Sequence, residues 1–481
     1  MARVKTEKTR PDFETLRRRF RAHGQDHVFA FWEQHSQSER EALLAQAARI
    51  DLSLLERLFR DHCAAVRVSP KLEPLEIQRV PEHGGDAEAF RAARERGEDL
   101  LARGRLAVLV AAGGQGSRLG FDGPKGAFPL GPVTGRTLFE LQAQKLRALG
   151  RRYGHSVPWY IMTSPSTDAA TRQIFASHDS FGLSPVDVFF FSQQTFPAVD
   201  FEGRLMLQSP ARIFESPNGH GGCLTALLDS GAARDMRSRG CETIFYYQVD
   251  NPLVKIGDPT YLGFHATAEA EMSCKITAKR DPQDKMGVVA RVDGHPSIVE
   301  YTELSDSHRY ARNADGELLY WAGNLAVHVL ELSFVERVAA RADEVLSYHA
   351  SAKRIPCIGV DGKPHSPAEA NGYKFERFIF DALSAARSIA VVETLREEEY
   401  SPVKNSDDAN RECPATARRD LSCMYRRWLF ESQISVPGDE GIWIEIDHSF
   451  ADGAEDLKSR GIHNISEAAG AIRITHGSPI R

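Results

Sequence analysis

An apolar run that leads directly into a glycine-rich loop is the feature that most restricts the fold of this chain. Residues 106–111 are all apolar, and the next fifteen residues are Ala-Gly-Gly-Gln-Gly-Ser-Arg-Leu-Gly-Phe-Asp-Gly-Pro-Lys-Gly. A buried strand that ends in such a loop is typical of α/β sheets, in which ligands bind beyond the carboxyl ends of the strands. The residues that follow each apolar run are therefore expected to carry the function.

The same strand pattern recurs along the chain. Apolar, β-rich runs at 159–163, 186–191 and 243–249 alternate with longer segments of helical pattern. This alternation predicts βαβ units, and hence an α/β fold with a Rossmann-like, mostly parallel sheet. We expect three parts in chain order: an N-terminal helical region with a linker at 1–96, a main α/β domain at 97–394, and a small C-terminal domain at 395–481.

The N-terminal region has helical periodicity, and the C-terminal domain a short predicted strand. Apolar side chains share one helical face at 13, 16 and 20. The patterns Ser38-x-x-Glu41 and Ser53-x-x-Glu56 predict two helix starts, because the serine can accept from free backbone N–H groups while the carboxylate reaches back. After about residue 394 the pattern becomes less regular, and the run 441–446 is predicted to be a strand.

Composition excludes several classes of protein. The chain has 481 residues, 42% of them hydrophobic, with 60 Lys and Arg against 66 Asp and Glu for a net charge of −6. It therefore lacks the basic surplus of a nucleic-acid-binding protein, and phosphorylated small molecules are better candidate ligands. Seven scattered cysteines without a Cys-x-x-Cys pair indicate reduced thiols. With no long apolar segment, we expect a cytoplasmic protein without a membrane partner. The pattern does not predict the oligomeric state.

The glycine-rich loop has the composition of a phosphate cradle. Glycines remove the Cβ atoms that would keep a triphosphate from the main chain, so that successive N–H groups can face its oxygens. Arg118 and Lys125 would add positive charge. The loop matches neither the Gly-x-Gly-x-x-Gly dinucleotide pattern nor a P-loop. A plain packing turn is the alternative, but four glycines with an Arg and a Pro-Lys at fixed offsets favour the cradle.

Two charged residues outside the loop suit the same chemistry. Asp250 follows the run 243–249, and a carboxylate at a strand end suits Mg²⁺, which one or two carboxylates and phosphate oxygens usually hold. A turn cap is the alternative role for this aspartate. Lys404 lies in the irregular segment Ser-Pro-Val-Lys-Asn, from which it could reach a phosphoryl group, although loop lysines are more often solvated.

The glycine-rich loop, together with Pro124-Lys125-Gly126, resembles the signature of uridylyltransferases that make UDP-sugars. Further segments resemble more narrowly the eukaryotic-type UDP-N-acetylglucosamine pyrophosphorylases. These segments are 193–194, 217–222, 249–255, 299–301, 323–324, 371–376 and 395–405. The resemblance extends in order from about residue 97 to about residue 425.

This resemblance implies a nucleotidyltransferase that converts UTP and a sugar-1-phosphate into a UDP-sugar and pyrophosphate with Mg²⁺. N-acetylglucosamine-1-phosphate is the expected sugar substrate. By resemblance, catalysis falls to Arg118, Lys125 and Lys404, nucleotide binding to Ala111, Ala112, Gly113, Gly114, Gln194, Gly219 and His220, sugar binding to Asn251, Gly287, Glu300, Asn324 and Lys374, and the metal to Asp250. Gln194 carries both a donor and an acceptor, as a uracil edge requires.

Two alternatives stay open at this point. The N-acetylglucosamine enzymes tend to have Asn where this chain has His220, and the Gly-His-Gly form resembles UDP-glucose and broad-range UDP-sugar pyrophosphorylases. The other alternative is a UDP-sugar-binding sensor or scaffold without activity. A pure binder would not need the full set of Arg118, Lys125, Lys374, Lys404 and Asp250, which favours an enzyme.

Overall fold

The computed structural model describes residues 12–64, 71–436, 441–460 and 470–475. The α-helices are α1 (Phe13–Ala22), α2 (Gln37–Arg49), α3 (Leu52–Ala64), α4 (Ala87–Ala102), α5 (Leu138–Tyr153), α6 (Asp168–Ser177), α7 (Cys223–Asp229), α8 (Ala232–Ser238), α9 (Pro259–Thr267), α10 (Asp306–Arg309), α11 (Leu332–Ala339), α12 (Ala342–Val345), α13 (Arg396–Glu399), α14 (Pro414–Glu431) and α15 (Ala454–Ser459).

The strands are β1 (Leu72–Glu73), β2 (Leu106–Ala111), β3 (Trp159–Thr163), β4 (Val188–Ser192), β5 (Thr195–Pro197), β6 (Val199–Asp200), β7 (Leu207–Ser209), β8 (Arg212–Ile213), β9 (Glu215–Pro217), β10 (Thr243–Gln248), β11 (Met272–Ala278), β12 (Val288–Val292), β13 (His295–Val299), β14 (Ala322–Glu331), β15 (Tyr348–Lys353), β16 (Cys357–Ile358), β17 (Pro364–His365), β18 (Gly372–Arg377), β19 (Ile389–Glu393), β20 (Trp443–Ile446) and β21 (Ala471–Ile474).

The chain forms two compact units, each built from separate stretches of sequence. The first unit contains 12–64, Gln194–Gly222 and Leu346–Phe378. The second contains 71–193, Cys223–Val345 and the described residues from 379 onward. The predicted domains, 1–96, 97–394 and 395–481, are instead continuous stretches of sequence, and this division stays a prediction. Patterns along a chain do not show which distant segments pack together.

The first unit packs the N-terminal helices against small sheets. Strands β15, β18 and β6 form a three-stranded sheet, beside the pairs β5–β9, β7–β8 and β16–β17. Leu16 and Phe20 of α1 share a buried core with Val199, Ile213 and Phe375. The predicted helical region is therefore confirmed for the described residues 12–64.

The predicted helix starts at Ser38-x-x-Glu41 and Ser53-x-x-Glu56 are wrong by two residues each. The capping box of α2 is formed by Ser36, whose side chain accepts from the backbone of Glu39 while the Glu39 carboxylate bonds back. At the start of α3, Asp51 accepts from the backbone N–H three residues on, at 2.9 Å. In α2, Ser36 and Glu39 form the same capping pattern two residues earlier than predicted. In α3, Asp51, two residues before the predicted Ser53, supplies the capping oxygen.

The second unit contains a ten-stranded sheet in which β1, β12, β14, β10, β2, β3 and β4 lie in that order. Strands β10, β2, β3 and β4 are mutually parallel, and β11 is parallel to β19. Strand β14 runs antiparallel to both β10 and β11. The α/β class is confirmed, and the parallel half is the part that carries the glycine-rich loop.

Burial on both faces explains why the central strands are continuously apolar. The side chains of β3 are all buried, and so are all those of β2 except the last. Helices α4 and α9 cross at two glycines: a Cβ at Gly97 would collide with the carbonyl of Pro259, and one at Gly263 with the carbonyl of Ala93. Only residues without side chains allow the two helices to approach so closely. The helices share their buried core with the sheet.

The C-terminal part of the second unit has its own core around α14 and the parallel pair β20–β21. The strand predicted at 441–446 is confirmed and covers Trp443–Ile446, but sequence reasoning missed α14, an 18-residue helix with buried residues such as Leu421, Tyr425 and Leu429. The carboxylate of Glu445 on β20 is buried and accepts two backbone N–H groups at 2.8 Å. All seven cysteines are free thiols, as predicted.

Among the described residues, no helix is both long enough and apolar enough to cross a membrane.

The buried His328 of β14 should make the second unit sensitive to acid. Its ring stacks on Tyr246 at 5.8 Å, and its Nδ1 lies 3.3 Å from the carbonyl oxygen of Ser273. Burial lowers the pKa of His328 from 6.5 to about 4, so the unfolded chain binds more protons between these values. The free energy of unfolding should therefore fall as the pH drops through this window, by up to about 3 kcal/mol from this group.

Replacing the titrating ring tests this origin. In His328→Asn, the fall in the urea midpoint between about pH 7 and about pH 4.5 should be smaller than in the wild type. His295→Asn, at the exposed first residue of β13, is the matched control and should keep the wild-type pH dependence. An undiminished fall in His328→Asn would assign the acid sensitivity to other groups.

Candidate functional site

The two strands that precede the predicted phosphate and metal residues lie side by side. β2 and β10 are parallel neighbours, and Ala111 at the end of β2 pairs with Gln248 at the end of β10. The glycine-rich loop, which begins at Ala112, and the segment that begins at Val249 therefore leave the sheet at the same edge. This is the carboxyl edge at which ligands bind in such sheets.

The glycine-rich loop folds back on itself as a narrow hairpin. The backbone N–H of Gly116 donates to the carbonyl of Gly123 at 2.8 Å, and that of Lys125 donates to the carbonyl of Gly114 at 3.0 Å. These bonds return Lys125 to the strand edge at which the loop started. Arg118 lies in the exposed turn between the two arms of the hairpin.

Gly113 lies against Gln193, which sequence reasoning passed over in favour of Gln194. A Cβ at Gly113 would collide with the Nε2 of Gln193, and the Ser164 hydroxyl donates to the Gly113 carbonyl at 2.7 Å. The Oε1 of Gln193 is buried and has no hydrogen-bond partner among the described residues. A buried acceptor without a partner, beside a glycine loop, makes Gln193 a candidate for binding a nucleotide base. The Gln-Gln pair was the available sequence signal.

Lys125 and Asp250 form an ion pair at this edge. The Nζ of Lys125 lies 3.2 Å from the Oδ2 of Asp250, and the two side chains are 18% and 11% exposed. Because solvent reaches the pair only in part, water screens these charges less than it screens surface charges. The structure thus brings together one ammonium and one carboxylate from residues that are far apart in sequence.

Lys404 is a second cation that acts on Asp250. Its Nζ lies 3.1 Å from the Tyr400 hydroxyl and 3.7 Å from the Glu412 carboxylate. Burial disfavours the ammonium, but attraction to Tyr400, Glu412 and Asp250 outweighs this and raises the pKa of Lys404 above its ordinary value. Lys404 is therefore fully charged at neutral pH.

The backbone that carries Asp250 is buried and irregular, so its polar groups need partners from other elements. Two side chains of α5 supply them for the segment 249–254. Gln142 donates to the first carbonyl of this segment at 2.9 Å, and the ammonium of Lys145 donates to two later carbonyls at 2.7 and 2.8 Å. Burial lowers the pKa of Lys145 to about 8. The Asp250 carboxylate is thus mounted on a fixed segment.

Three of the predicted sugar-binding residues lie together in the second unit. The backbone N–H of Asn324 donates to the carbonyl of Gly287 at 2.8 Å. A Cβ at Gly287 would lie 3.2 Å from the Oε1 of Glu300. Gly287 immediately precedes β12 and Glu300 immediately follows β13, so the hairpin formed by these strands brings the two ends together.

Asn251, a fourth predicted sugar-binding residue, is occupied by backbone contacts. It is 4% exposed, and its Nδ2 donates to the carbonyl of Glu399 at 2.7 Å. Its Oδ1 accepts from the backbone N–H groups of Leu253 and Ser401. These bonds give Asn251 a structural task, and its role in sugar binding stays a prediction.

Gln194 and Gly219, predicted for the nucleotide, belong to the first unit. The backbone N–H of Asn218 donates to the carbonyl of Gln194 at 3.1 Å. Gly219 has a φ of 88°, and a Cβ there would collide with the backbone of Arg377. Both the left-handed conformation and the close contact require glycine at this turn.

His220 and Lys374 also belong to the first unit. The His220 ring stacks on Phe378 at 5.2 Å, and Phe378 in turn stacks on His349 at 4.5 Å. The ammonium of Lys374 lies 4.9 Å from the ring centroid of Phe214. The stack fixes the plane of the His220 imidazole beside the Gly219 turn. The binding roles of these residues stay predictions.

The donor set around Asp250 is compatible with Mg²⁺. Across the described part of the chain, no group of three or more His, Cys, Asp or Glu side chains could hold a metal ion by itself. Mg²⁺ does not need such a group, since it keeps several waters and binds through one or two carboxylates together with substrate phosphates. A single buried carboxylate beside a glycine-rich loop suits that mode of binding.

Comparison with known proteins places the chain in a family. The family model described as UTP–glucose-1-phosphate uridylyltransferase matches residues 53–432. A curated relative from Xenopus tropicalis, named UDP-N-acetylhexosamine pyrophosphorylase-like protein 1, is 38% identical over 459 residues, covering 91% of this chain and 89% of the relative. UDP-N-acetylglucosamine diphosphorylase 2 of Arabidopsis thaliana is 36% identical, with 86% and 84% covered.

A solved structure supports the same conclusion. The uridine diphosphate N-acetylglucosamine pyrophosphorylase of Trypanosoma brucei, determined in complex with an inhibitor, matches with a TM-score of 0.83 at 26% identity, covering 98% of this chain and 100% of that one. The chain belongs to the UTP–glucose-1-phosphate uridylyltransferase family. The resemblance inferred from the glycine-rich loop and the later segments is therefore confirmed.

The cationic residues at the strand edge can be tested one at a time. Lys404→Ala should lower kcat for UDP-sugar formation by about 100-fold or more, because it removes a charge fixed near the reacting phosphates. Lys458→Ala, on the exposed face of α15, is the control and should leave kcat unchanged. A folded Lys404→Ala enzyme with wild-type turnover, judged by circular dichroism and initial rates, would remove Lys404 from the site.

Proposed function

We propose that this protein transfers the uridylyl group of UTP to N-acetylglucosamine-1-phosphate, forming UDP-N-acetylglucosamine and pyrophosphate. The observation that carries the proposal is the cluster of Lys125, Asp250 and Lys404 beyond the ends of β2 and β10. Membership of the uridylyltransferase family and the names of the relatives support the same reaction. The choice of an N-acetylated sugar rests on those relatives.

The reaction is a single in-line displacement. An oxygen of the sugar-1-phosphate attacks the α-phosphorus of UTP, the new P–O bond forms, and the bond to the β-phosphate oxygen breaks to release pyrophosphate. A phosphate monoester is already a nucleophile at neutral pH, so no general base is required. Catalysis then comes from positioning and from charge neutralisation by fixed cations.

Each cation has a place in this scheme. Arg118 and Lys125, on the glycine-rich hairpin, would neutralise the departing β- and γ-phosphates. Lys404 would offset the charge that grows at the α-phosphorus. The backbone N–H groups at Gly113 and Gly114 would face phosphate oxygens, since no Cβ separates them from the ligand. Gln193 would bind the uracil edge through its unused acceptor.

Mg²⁺ would be held by Asp250 together with the phosphates of UTP. When bound, it would neutralise phosphate charge and make pyrophosphate a better leaving group. Asp250→Asn should therefore raise the Mg²⁺ concentration that gives half-maximal rate by about tenfold or more. Asp99→Asn, exposed on α4, is the control and should leave this value unchanged. An unaltered Mg²⁺ requirement in Asp250→Asn would place the metal elsewhere.

The free thiols support a reducing compartment, and we propose a cytoplasmic location. Localisation of the tagged chain in fractionated cells tests this proposal, and recovery in a secretory or membrane fraction would contradict it.

A second candidate for the sugar substrate should also be tested. Histidine at position 220 favours glucose-1-phosphate or several sugar-1-phosphates, by the resemblance of the Gly-His-Gly form to UDP-glucose and broad-range enzymes. Pyrophosphate release should be measured with UTP, Mg²⁺ and the 1-phosphates of N-acetylglucosamine, N-acetylgalactosamine, glucose and galactose. We expect kcat/KM to be at least about 100-fold higher for N-acetylglucosamine-1-phosphate than for glucose-1-phosphate, since lost polar contacts discriminate strongly.

Two other results of this substrate panel would contradict the proposal. Equal or higher kcat/KM for glucose-1-phosphate would replace the proposed sugar with the second candidate. Binding of UTP or UDP-sugar without pyrophosphate release from any sugar would contradict the enzyme and support a sensor. His220→Asn is the informative variant if discrimination is weak, because it restores the residue that the N-acetylglucosamine enzymes tend to have.

A further inference from the structure

Lys275, in the middle of β11, is a buried charge that the reaction does not use directly. It is 1% exposed, and its ammonium contacts two carboxylates. The Nζ lies 2.6 Å from the Oδ2 of Asp258 and 2.5 and 2.7 Å from the two carboxylate oxygens of Glu399. Burying three charged groups is costly unless all of them are bonded.

The remaining polar atoms of this cluster are also bonded. The Thr394 hydroxyl donates to Glu399 at 2.9 Å, and Asp258 accepts from the backbone N–H of Thr260 at the start of α9. Burial opposes ionisation of Asp258, but the ammonium groups of Lys255 and Lys275 hold its pKa well below the ordinary value. The cluster is therefore a closed network that ties together β11, α9 and α13.

Stability alone is a weak reason for such a network. Replacing a buried ion cluster by apolar residues of similar volume is often neutral or stabilising, whereas removing one partner is costly. In some proteins, however, buried charged groups fix one arrangement of the elements that carry them. A function for this network therefore depends on which segments Glu399 and Asp258 hold in place.

Glu399 leads directly into the segment that carries Lys404. Its carbonyl accepts from the side chain of Asn251 at 2.7 Å, and the Oδ1 of Asn251 accepts from the backbone N–H of Ser401 at 3.2 Å. Further along, the backbone N–H of Val403 donates to the carbonyl of Asp250 at 2.9 Å. The segment 399–404 is thus bonded along its length to residues 250 and 251.

We propose that Lys275 is a positioning residue that sets the distance between Lys404 and Asp250. Lys275 holds the carboxylate of Glu399 in place. The position of Glu399 then determines the path of the backbone from Glu399 to Lys404. Lys275 touches no substrate and acts through the docked segment. The inference rests on the proposed function, since it matters for catalysis only if Lys404 and Asp250 act on the phosphates of UTP.

The test is a double-mutant cycle between the buried network and Lys404. Lys275→Met and Glu399→Gln are each made in the wild type and in Lys404→Ala, and kcat and the KM for UTP are measured. Each should lower kcat by about 10-fold or more in the wild type, with KM changed less than about threefold. In Lys404→Ala, the same substitutions should lower kcat by less than about threefold, because the group they position is already gone.

Glu445→Gln is the control for a general loss of stability. Glu445 is a buried carboxylate of β20 that bonds to Val133, Thr134 and Arg136. Among the described residues, none of these bonds reaches the segment that carries Lys404. Glu445→Gln should lower the thermal midpoint and leave kcat unchanged. Glu399→Gln keeps the side-chain volume and the contact with Thr394, so it provides the test where Lys275→Met does not fold.

The results of these measurements distinguish the positioning role of Lys275 from the proposed function. Equal factors of loss in the two backgrounds, or wild-type kcat in a folded Glu399→Gln enzyme with a lowered thermal midpoint, would overturn the positioning role and leave the proposed function intact. Wild-type kcat in Lys404→Ala would overturn the proposed site itself, and the positioning role with it.

Discussion

The geometry of the site depends on the burial of backbone that is neither helix nor strand. After β10 the segment 249–254 turns away from the sheet, and its peptide groups would be costly to bury without partners. Gln142 and Lys145 of α5 bond to its carbonyls, and Asn251 bonds it to the segment that follows α13. Asp250 is therefore held both by α5 and by the segment that follows α13, which gives an irregular segment the rigidity that a catalytic group needs.

The charges at this edge suit a reaction in which the reactants are themselves highly charged. Lys125 and Lys404 are cations mounted on two different segments, and both act on the single carboxylate of Asp250. When two phosphorylated substrates come together, repulsion between them is the main obstacle, and fixed cations in a partly dry site reduce it most effectively. This accounts for a site rich in positive charge that needs neither a nucleophilic side chain nor a general base.

The sequence predicted those parts of the site that follow buried parallel strands. The bounds of β2 and β3 match the apolar runs at 106–111 and 159–163, because strands covered on both faces are continuously apolar. It assigned the nucleotide to Gln194, whereas Gln193 is the residue whose amide lies against Gly113. A shift of one residue decides which of two adjacent side chains faces the loop, and the pattern of the sequence does not show it. Nor could it show that the amide of Asn251 bonds backbone 148 residues away in sequence, because that contact exists only after folding.

The proposed reaction transfers the uridylyl group directly between phosphates, without a covalent intermediate on the protein. The most direct measurement is the configuration at the α-phosphorus after turnover of one diastereomer of UTP carrying sulfur in place of an α-phosphate oxygen. A single in-line displacement by the sugar-1-phosphate predicts inversion of configuration in the UDP-sugar product. Retention would require two successive displacements, and hence a nucleophile on the protein, and would contradict the account.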